Sequence, residues 1–561
     1  MMRLAPPLPA SASAGAPAPA LGGRTCRPRA VAARAVHDLS RRSLLLTSTA
    51  LAPALAARAD PAADPGAVAA ARFAADLERR VTQFRLPNGM AFIVLERGPA
   101  PVVSVVTHAA VGAYDEPAGL TGIAHLLEHM AFKGTTRLGG AGDPAMEAAL
   151  LAAEDDAFYE LRALKSTPAT SRPALAAATA RLDAAAAAAA TSSTPNAYGS
   201  RLADAGAVGL NATTSHDATR YFCSLPSNAL ELWFALEADR FRDPVFRGLH
   251  SEKRVVAEER RSRVDGAPLG AFQQRFLRGA LANNYGRPVI GLPDDVERVG
   301  RRELASFFGE RYGPASLTVA VVGDAPPARV RTLAEKYFGS WEPGVPPPRR
   351  SVGSSAATAR PAPPPPRLES AERGGPVVLQ AYYRPASDAP DAAAVDAACE
   401  VLSGGRSSRL HAALVRAGLA LAAGAAPALP GDLRPCAVLL QAVPAPGVAM
   451  ERVDAALAGA ARALAADGPT DAELARLKKA ARAGLYGAVR SNAALASLLA
   501  GTASERGDWT ALLADAAAVD ALTAAGVESA AGAVFAADAN CAAAWALPAA
   551  EVTGLGDAFI A

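Results

Sequence analysis

Apolar positions along this chain fall into short blocks whose spacing separates strands from helices. VTQFRLPNGMAFIVLERG, residues 81–98, places two apolar runs either side of Asn88-Gly89. That dipeptide between alternating hydrophobics predicts a β-hairpin, and regular structure is expected from near Val81 onward. PVVSVVTHAAVGA (101–113) reads as a half-buried strand. YGPASLTVAVVGD (312–324) predicts another strand, and ARVRTLAEKYFGSW after it a helix. Residues 343–375 are rich in Pro, Ser and Gly with little apolar content, which reads as a linker that does not pack. The periodic pattern then resumes: GPVVLQAYYRP as a strand, followed by DAAAVDAACEVLSGGRSSRLHAALVRAG as helix, glycine-rich loop and helix.

The two sides of that linker echo each other. Each begins with a strand leading into a helix, and each ends with a helix, an irregular step and a strand, TVAVVGD in one and CAAAWAL in the other. The expected fold is α+β: two duplicated domains, 80–342 and 376–550, each an antiparallel-rich sheet packed with helices. One segment, about 143–195, fits neither copy. DPAMEAALLAAEDDAFYELRALK spaces Met146, Leu150, Phe158 and Leu161 as a helix does. STPATSRP then breaks the pattern, and an alanine-rich stretch resumes it with Pro173 at its start. An inserted helical hairpin is the expectation.

At 561 residues the chain is too long for one core, which agrees with two domains. Its net charge is +3, part of the excess lies in the first sixty residues, and only 5% of residues are aromatic. A nucleic-acid-binding surface is therefore not expected. The five cysteines are far apart with no Cys-x-x-Cys pair, and read as small buried hydrophobes. From Met1 to His37 there is no acid, while Arg3, Arg24, Arg27, Arg29 and Arg34 stand among Ser, Ala and Pro, the composition of an organellar transit peptide. Arg41-Arg42, an apolar run to Ala57 and the small-residue stretch to Ala59 then fit a twin-arginine export signal. Residues 1–59 are thus expected to direct the protein to a plastid, to its thylakoid lumen, with a mitochondrion or a bacterial periplasm as alternatives. No segment is long and apolar enough to suggest an integral membrane span.

The chemistry concentrates in GIAHLLEHMAFKGT (122–135), which uses two of only 7 histidines. If Leu120–Phe132 is helical, His125 and His129 project from one face a turn apart, with Glu128 beside them. Two neutral imidazoles so placed can hold one Zn²⁺. A catalytic zinc needs a third protein ligand. LHSEKRVVAEERRSRVDGAP (249–268) offers Glu252 and Glu259, seven residues apart on one helix face, although this stretch also reads as a solvated charged helix.

GLTGIAHLLEHMAFKGT, GLNATTSHDATRYFCSLP and EKRVVAEERR together resemble the pitrilysin/insulinase family of zinc metallopeptidases, including its processing-peptidase branch, which carry the inverted motif His-x-x-Glu-His. The resemblance runs from about Gln83 to about Pro548. It implies zinc as cofactor, His125, His129 and Glu259 as ligands, Glu128 as the base activating a zinc-bound water, and Glu252 as an auxiliary carboxylate behind the ligands. It implies an endopeptidase acting on short or unfolded peptides, or, as the alternative, a noncatalytic chamber-forming subunit of the same family. The segment GLNATTSHDATRYF reads as a strand, and the family places there an exposed edge to which peptide adds, with Asn211 and Ala212 as substrate-binding residues. Two such domains make half of the clamshell seen in longer relatives, so a homodimer or a pairing with a motif-less paralogue is implied. His108 and His216 are expected to be structural.

Overall fold

The computed structural model describes residues 65–267, 269–344, 359–360, 367–372, 374–536 and 540–548. The expected presequence, 1–59, and most of the expected linker lie outside these residues. Two sheets organise the chain. The first contains β1 (Val81–Arg85), β2 (Ala91–Glu96), β3 (Val102–Ala109), β4 (Val208–Thr214), β5 (Thr219–Pro226) and β6 (Leu317–Gly323), in the order β1-β2-β6-β3-β5-β4. The second contains β7 (Leu368–Glu372), β8 (Val377–Arg384), β9 (Ala420–Leu429), β10 (Cys436–Pro444) and β11 (Cys541–Pro548), in the order β7-β11-β8-β10-β9. Leaving aside β1, the two orders correspond strand for strand. In each sheet one pair is parallel, β2 with β6 and β7 with β11, and the rest are antiparallel. The α+β duplication is therefore visible in connectivity.

The Asn88-Gly89 turn closes the β1–β2 hairpin, with Gly89 at φ +92. The Asn88 amide donates to the carbonyls of Phe338 and Trp341 at 2.8 and 2.9 Å, tying this turn to the end of the helix Pro327–Phe338. Two expectations about boundaries are corrected. A helix, Pro65–Arg80, precedes β1, and its Leu77 is buried. Phe73, Ala74 and Leu77 are the apolar positions it packs on the body, too short a run to show a helical period. Within the expected linker, Leu368–Glu372 forms β7 beside β11. An edge strand of this kind is held by main-chain hydrogen bonds on one side and needs no long apolar run.

Both faces of each sheet are covered. On one face of the first, Phe92, Val94, Val103, Val105, Val319 and Val321 pack with Ile123, Leu126, Leu127 and Met130 of the helix Ile123–Met130. On the other, Ile93, Leu95, Val106, Ala320 and Val322 meet Leu495, Leu498 and Leu499 of the helix Asn492–Arg506, which belongs to the second half. The exchange is mutual. Val377, Leu379, Ala381 and Tyr383 of the second sheet pack on Phe272 and Phe276 of the helix Gly270–Ala280 from the first half. β3, expected as a half-buried strand, is instead buried on both faces like β2 and β6, and strands so placed carry near-continuous apolar runs. At about 2 kcal/mol per fully buried leucine or phenylalanine, this shared packing ties the two halves together.

The insertion is a helical hairpin, Pro144–Lys165 and Arg172–Ala190. Asp143 caps the first helix by accepting from the Ala145 N–H at 3.0 Å, and Ser171 the second by accepting from Ala174 at 3.3 Å. Phe158 and Leu161 are buried as expected, but Met146 is 59% exposed. At that end of the helix Glu147 faces the body instead, paired with the Arg247 guanidinium at 2.6 Å. Cys223, Cys399 and Cys436 are buried thiols as expected, Cys541 is only half-buried, and Cys26 lies outside the described residues. No helix among the described residues is long and apolar enough to cross a membrane.

Candidate metal centre

The motif helix is shorter than its pattern suggested, running from Ile123 to Met130. Its start is fixed by a glycine and a distant acid. Gly122 takes φ +88, and Glu116 accepts from the N–H groups of Gly122 and Ala124 at 2.9 and 3.0 Å. These are donors that a helix start leaves without partners. Leu126, Leu127 and Met130 enter the core, which turns His125, Glu128 and His129 toward the helix Leu249–Arg260 and the edge strand β4.

There the side chains converge. The Nε2 atoms of His125 and His129 lie 3.6 and 3.4 Å from one oxygen of Glu259, Oε2. Among the described residues this His–His–Glu trio is the group of side chains that could hold an ion, with ligand atoms all within 4.8 Å of one another. The spacing decides between two meanings. It is too long for good hydrogen bonds, whereas three ligands each about 2.0–2.1 Å from a tetrahedral zinc stand about 3.3–3.4 Å apart. Two imidazoles and a carboxylate also suit that ion chemically. The residues present fit the group.

The surroundings tune each member. Burial and the neighbouring His129 push His125 down to about 4, so this imidazole is neutral and has its lone pair free. Burial opposes charge on His129, but the carboxylates of Glu252 and Glu259 outweigh it and hold this ring up at about 9. Occupancy by a divalent cation would release that proton. Glu252 Oε2 sits 3.2 Å from His129 Nδ1, and its Oε1 takes the Lys133 ammonium, so this carboxylate orients the ring from behind. Glu128 stands outside the trio. Burial raises its pKa, against a 2.5 Å hydrogen bond donated by the Thr214 hydroxyl. A carboxylate that binds protons more readily than usual is the property a general base near neutral pH needs.

The segment expected as one strand is two. β4 and β5 form a hairpin through Ser215–Ala218, where the N–H groups of Asp217 and Ala218 donate to the Ser215 hydroxyl. Polar Ser-His-Asp in mid-segment was the turn signal. β4 is the sheet's outer strand, with a bulge between Val208 and Asn211. The Asn211 side chain is exposed and that of Ala212 is buried. His216 Nε2 donates to the Arg287 carbonyl at 2.8 Å, and His108 Nδ1 accepts from Arg220 Nε at 3.3 Å; neither joins the trio. Sequence reasoning did not single out Thr214, Lys133 or Glu116. Thr214 and Lys133 lie inside stretches noted for other reasons, and all three act across contacts that only folding creates.

Two family models match the chain: insulinase (peptidase family M16) over residues 92–161, which include the motif helix, and the peptidase M16 inactive domain over 298–481. The chain is 32% identical over 217 residues to the zinc protease PqqE of Helicobacter pylori, 36% of this chain and 47% of that one. It spans about half the length of the curated relatives it matches. Among solved structures, a protease from Helicobacter pylori superposes with a TM-score of 0.65 at 23% identity, over 84% of this chain and 99% of that one. The periplasmic protease PqqL from Escherichia coli superposes with a TM-score of 0.58 at 16% identity, over 83% of this chain and 47% of that one. These two structures bear on the fold alone.

Proposed function

Since the chain belongs to the pitrilysin/insulinase (M16) peptidase family, we propose that it is a zinc-dependent endopeptidase hydrolysing short or unfolded peptides. The observation that carries this reading is the convergence of His125 and His129 Nε2 on one oxygen of Glu259, with Glu128 alongside. Zinc held there would polarise a peptide carbonyl and bring a coordinated water's pKa near 7. Glu128 accepts the proton of the attacking water and returns it to the leaving amine. Thr214 keeps the Glu128 carboxylate turned toward β4. The open side of β4 can receive an extended peptide through main-chain hydrogen bonds, with Asn211 and Ala212 at its centre, which gives affinity with little demand on sequence.

The match to the inactive-domain model begins beyond the motif helix, so it does not weigh against catalysis by the first half. Two duplicated domains make half of a clamshell, so a second copy or a motif-less paralogue would complete the chamber. The acid-free, arginine-bearing N-terminus supports delivery to a plastid, with the thylakoid lumen as destination. Incubating the mature protein with a peptide library, with and without chelator, tests the function. Chelator-sensitive cleavage restored by zinc is expected; cleavage that survives metal removal, or no cleavage by a zinc-loaded protein, rejects it.

A further inference from the structure

The two oxygens of the Glu259 carboxylate face different neighbours. Oε2 looks toward the imidazoles of His125 and His129 at 3.6 and 3.4 Å, while Oε1 is taken by the guanidinium of Arg263, one turn further on. The arginines beside Arg263 are engaged elsewhere. Arg260 donates to the Gly291 carbonyl at 2.9 Å and pairs with Asp265 at 3.4 Å; Arg261 pairs with Glu258 on the surface. The Arg263 side chain is 65% exposed, so the pair adds little to the stability of the fold. Its position is nevertheless built by the backbone. The helix that carries Glu259 passes into a π-helical turn over Arg261–Asp265, closed by the Gly266 N–H on the Arg261 carbonyl at 2.6 Å. Two glycines permit this turn. A Cβ on Gly266 would lie 2.7 Å from the Arg261 carbonyl oxygen, and one on Gly270 would lie 2.4 Å from that of Val264. Such turns are rare in helices and concentrate at functional sites.

We propose that Arg263 is a positioning residue for the metal ligand Glu259. By holding Oε1 it leaves a single oxygen for the ion and keeps the carboxylate from swinging to two-oxygen coordination. The contact is one guanidinium nitrogen on one carboxylate oxygen, so the positive charge beside Oε1 does the holding and not a two-pronged fork. This inference rests on the zinc peptidase reading.

The test uses the mature protein and its Arg263→Ala and Arg263→Lys variants, loaded with Co²⁺ for spectroscopy and with Zn²⁺ for kinetics. For Arg263→Ala the expected result is weaker visible d–d bands, as the ion passes from four to five ligand atoms. Peptide turnover should fall about tenfold at nearly unchanged KM. Arg263→Lys, which restores a cation beside Oε1, should recover most of both signals. The melting temperature of the metal-free protein should be unaltered in both variants, because the side chain is exposed. An Arg263→Ala spectrum and kcat matching the parent protein would overturn the inference while leaving the peptidase reading intact. If the parent protein itself binds neither Co²⁺ nor Zn²⁺, the underlying reading fails first.

Discussion

Gly122 is where the backbone and the proposed chemistry meet most tightly. It starts the motif helix at φ +88, three residues before His125, and faces Gly291. A Cβ at Gly122 would lie 2.8 Å from the Gly291 Cα, 2.9 Å from the Ile290 carbonyl oxygen and 2.9 Å from a Val296 methyl. Two of those three neighbours are backbone and cannot rotate away. An L side chain at such a φ costs about 1–2 kcal/mol, and forcing a methyl into filled space about 1–3 more, so Gly122→Ala should destabilise by about 2–5 kcal/mol. Gly119 supplies an internal control. Its φ is +81, but a Cβ there meets nothing within 4 Å, so Gly119→Ala should show the strain alone, about 1–2 kcal/mol. The assay is the urea midpoint of both metal-free variants at matched slope. Peptide turnover should follow, falling at least tenfold in Gly122→Ala, since small displacements of reacting groups are costly. Equal midpoints for the two variants, within about 0.5 kcal/mol, would refute the argument that close backbone approach fixes the helix.

Leu499, fully buried between the first sheet and a helix of the second half, should cost about 2–5 kcal/mol as Leu499→Ala. The loss should appear in one unfolding transition; two separated transitions by calorimetry would argue that the halves are independent. His216 is held down to about 4 by burial, so the unfolded state binds its proton first. Its contribution is complete above pH 6.5 and is lost as pH falls toward 4, amounting to about 2 kcal/mol by pH 5. Urea midpoints of the parent protein and His216→Gln at pH 7.5 and 5.0 check this, and identical pH slopes would contradict it. Glu252→Gln, which weakens the hold on His129 and strands Lys133, should lower zinc affinity about 10–100-fold in a chelator competition; an unchanged affinity would show that the ring needs no support from behind.

Much of the fold is legible in the sequence because its signals are local. Asn88-Gly89 marks a hairpin, Pro173 a helix start, and the apolar runs of β3, β6 and β8 are long enough to stand out. The inserted hairpin declares itself through Phe158 and Leu161. What escapes is non-local. The helix Pro65–Arg80 packs through only Phe73, Ala74 and Leu77 in the described stretch, and β7 draws its stability from the backbone of β11. The exchange of helices between halves cannot be read from the alanine-rich pattern of Asn492–Arg506, whose leucines could serve any core. At the site, His125, Glu128 and His129 share one helix and one period. Glu259 stood among several acids and arginines, and only resemblance distinguished it; in space it is set apart by the direction of one oxygen. Thr214 is short-range chemistry created by long-range folding, whereas Arg263 is a local neighbour of Glu259 that follows a π-helical turn no periodic pattern announces.

The proposed peptidase chemistry requires two histidines and Glu259 to hold a zinc ion while Glu128 handles protons. Zinc content and peptide turnover, measured together on Glu128→Gln and His129→Ala, test it most directly. Glu128→Gln should retain about one zinc per chain and lose at least about a hundredfold in turnover, whereas His129→Ala should lose both. A zinc-loaded Glu128→Gln protein that still cleaves peptides at the parental rate would contradict the account.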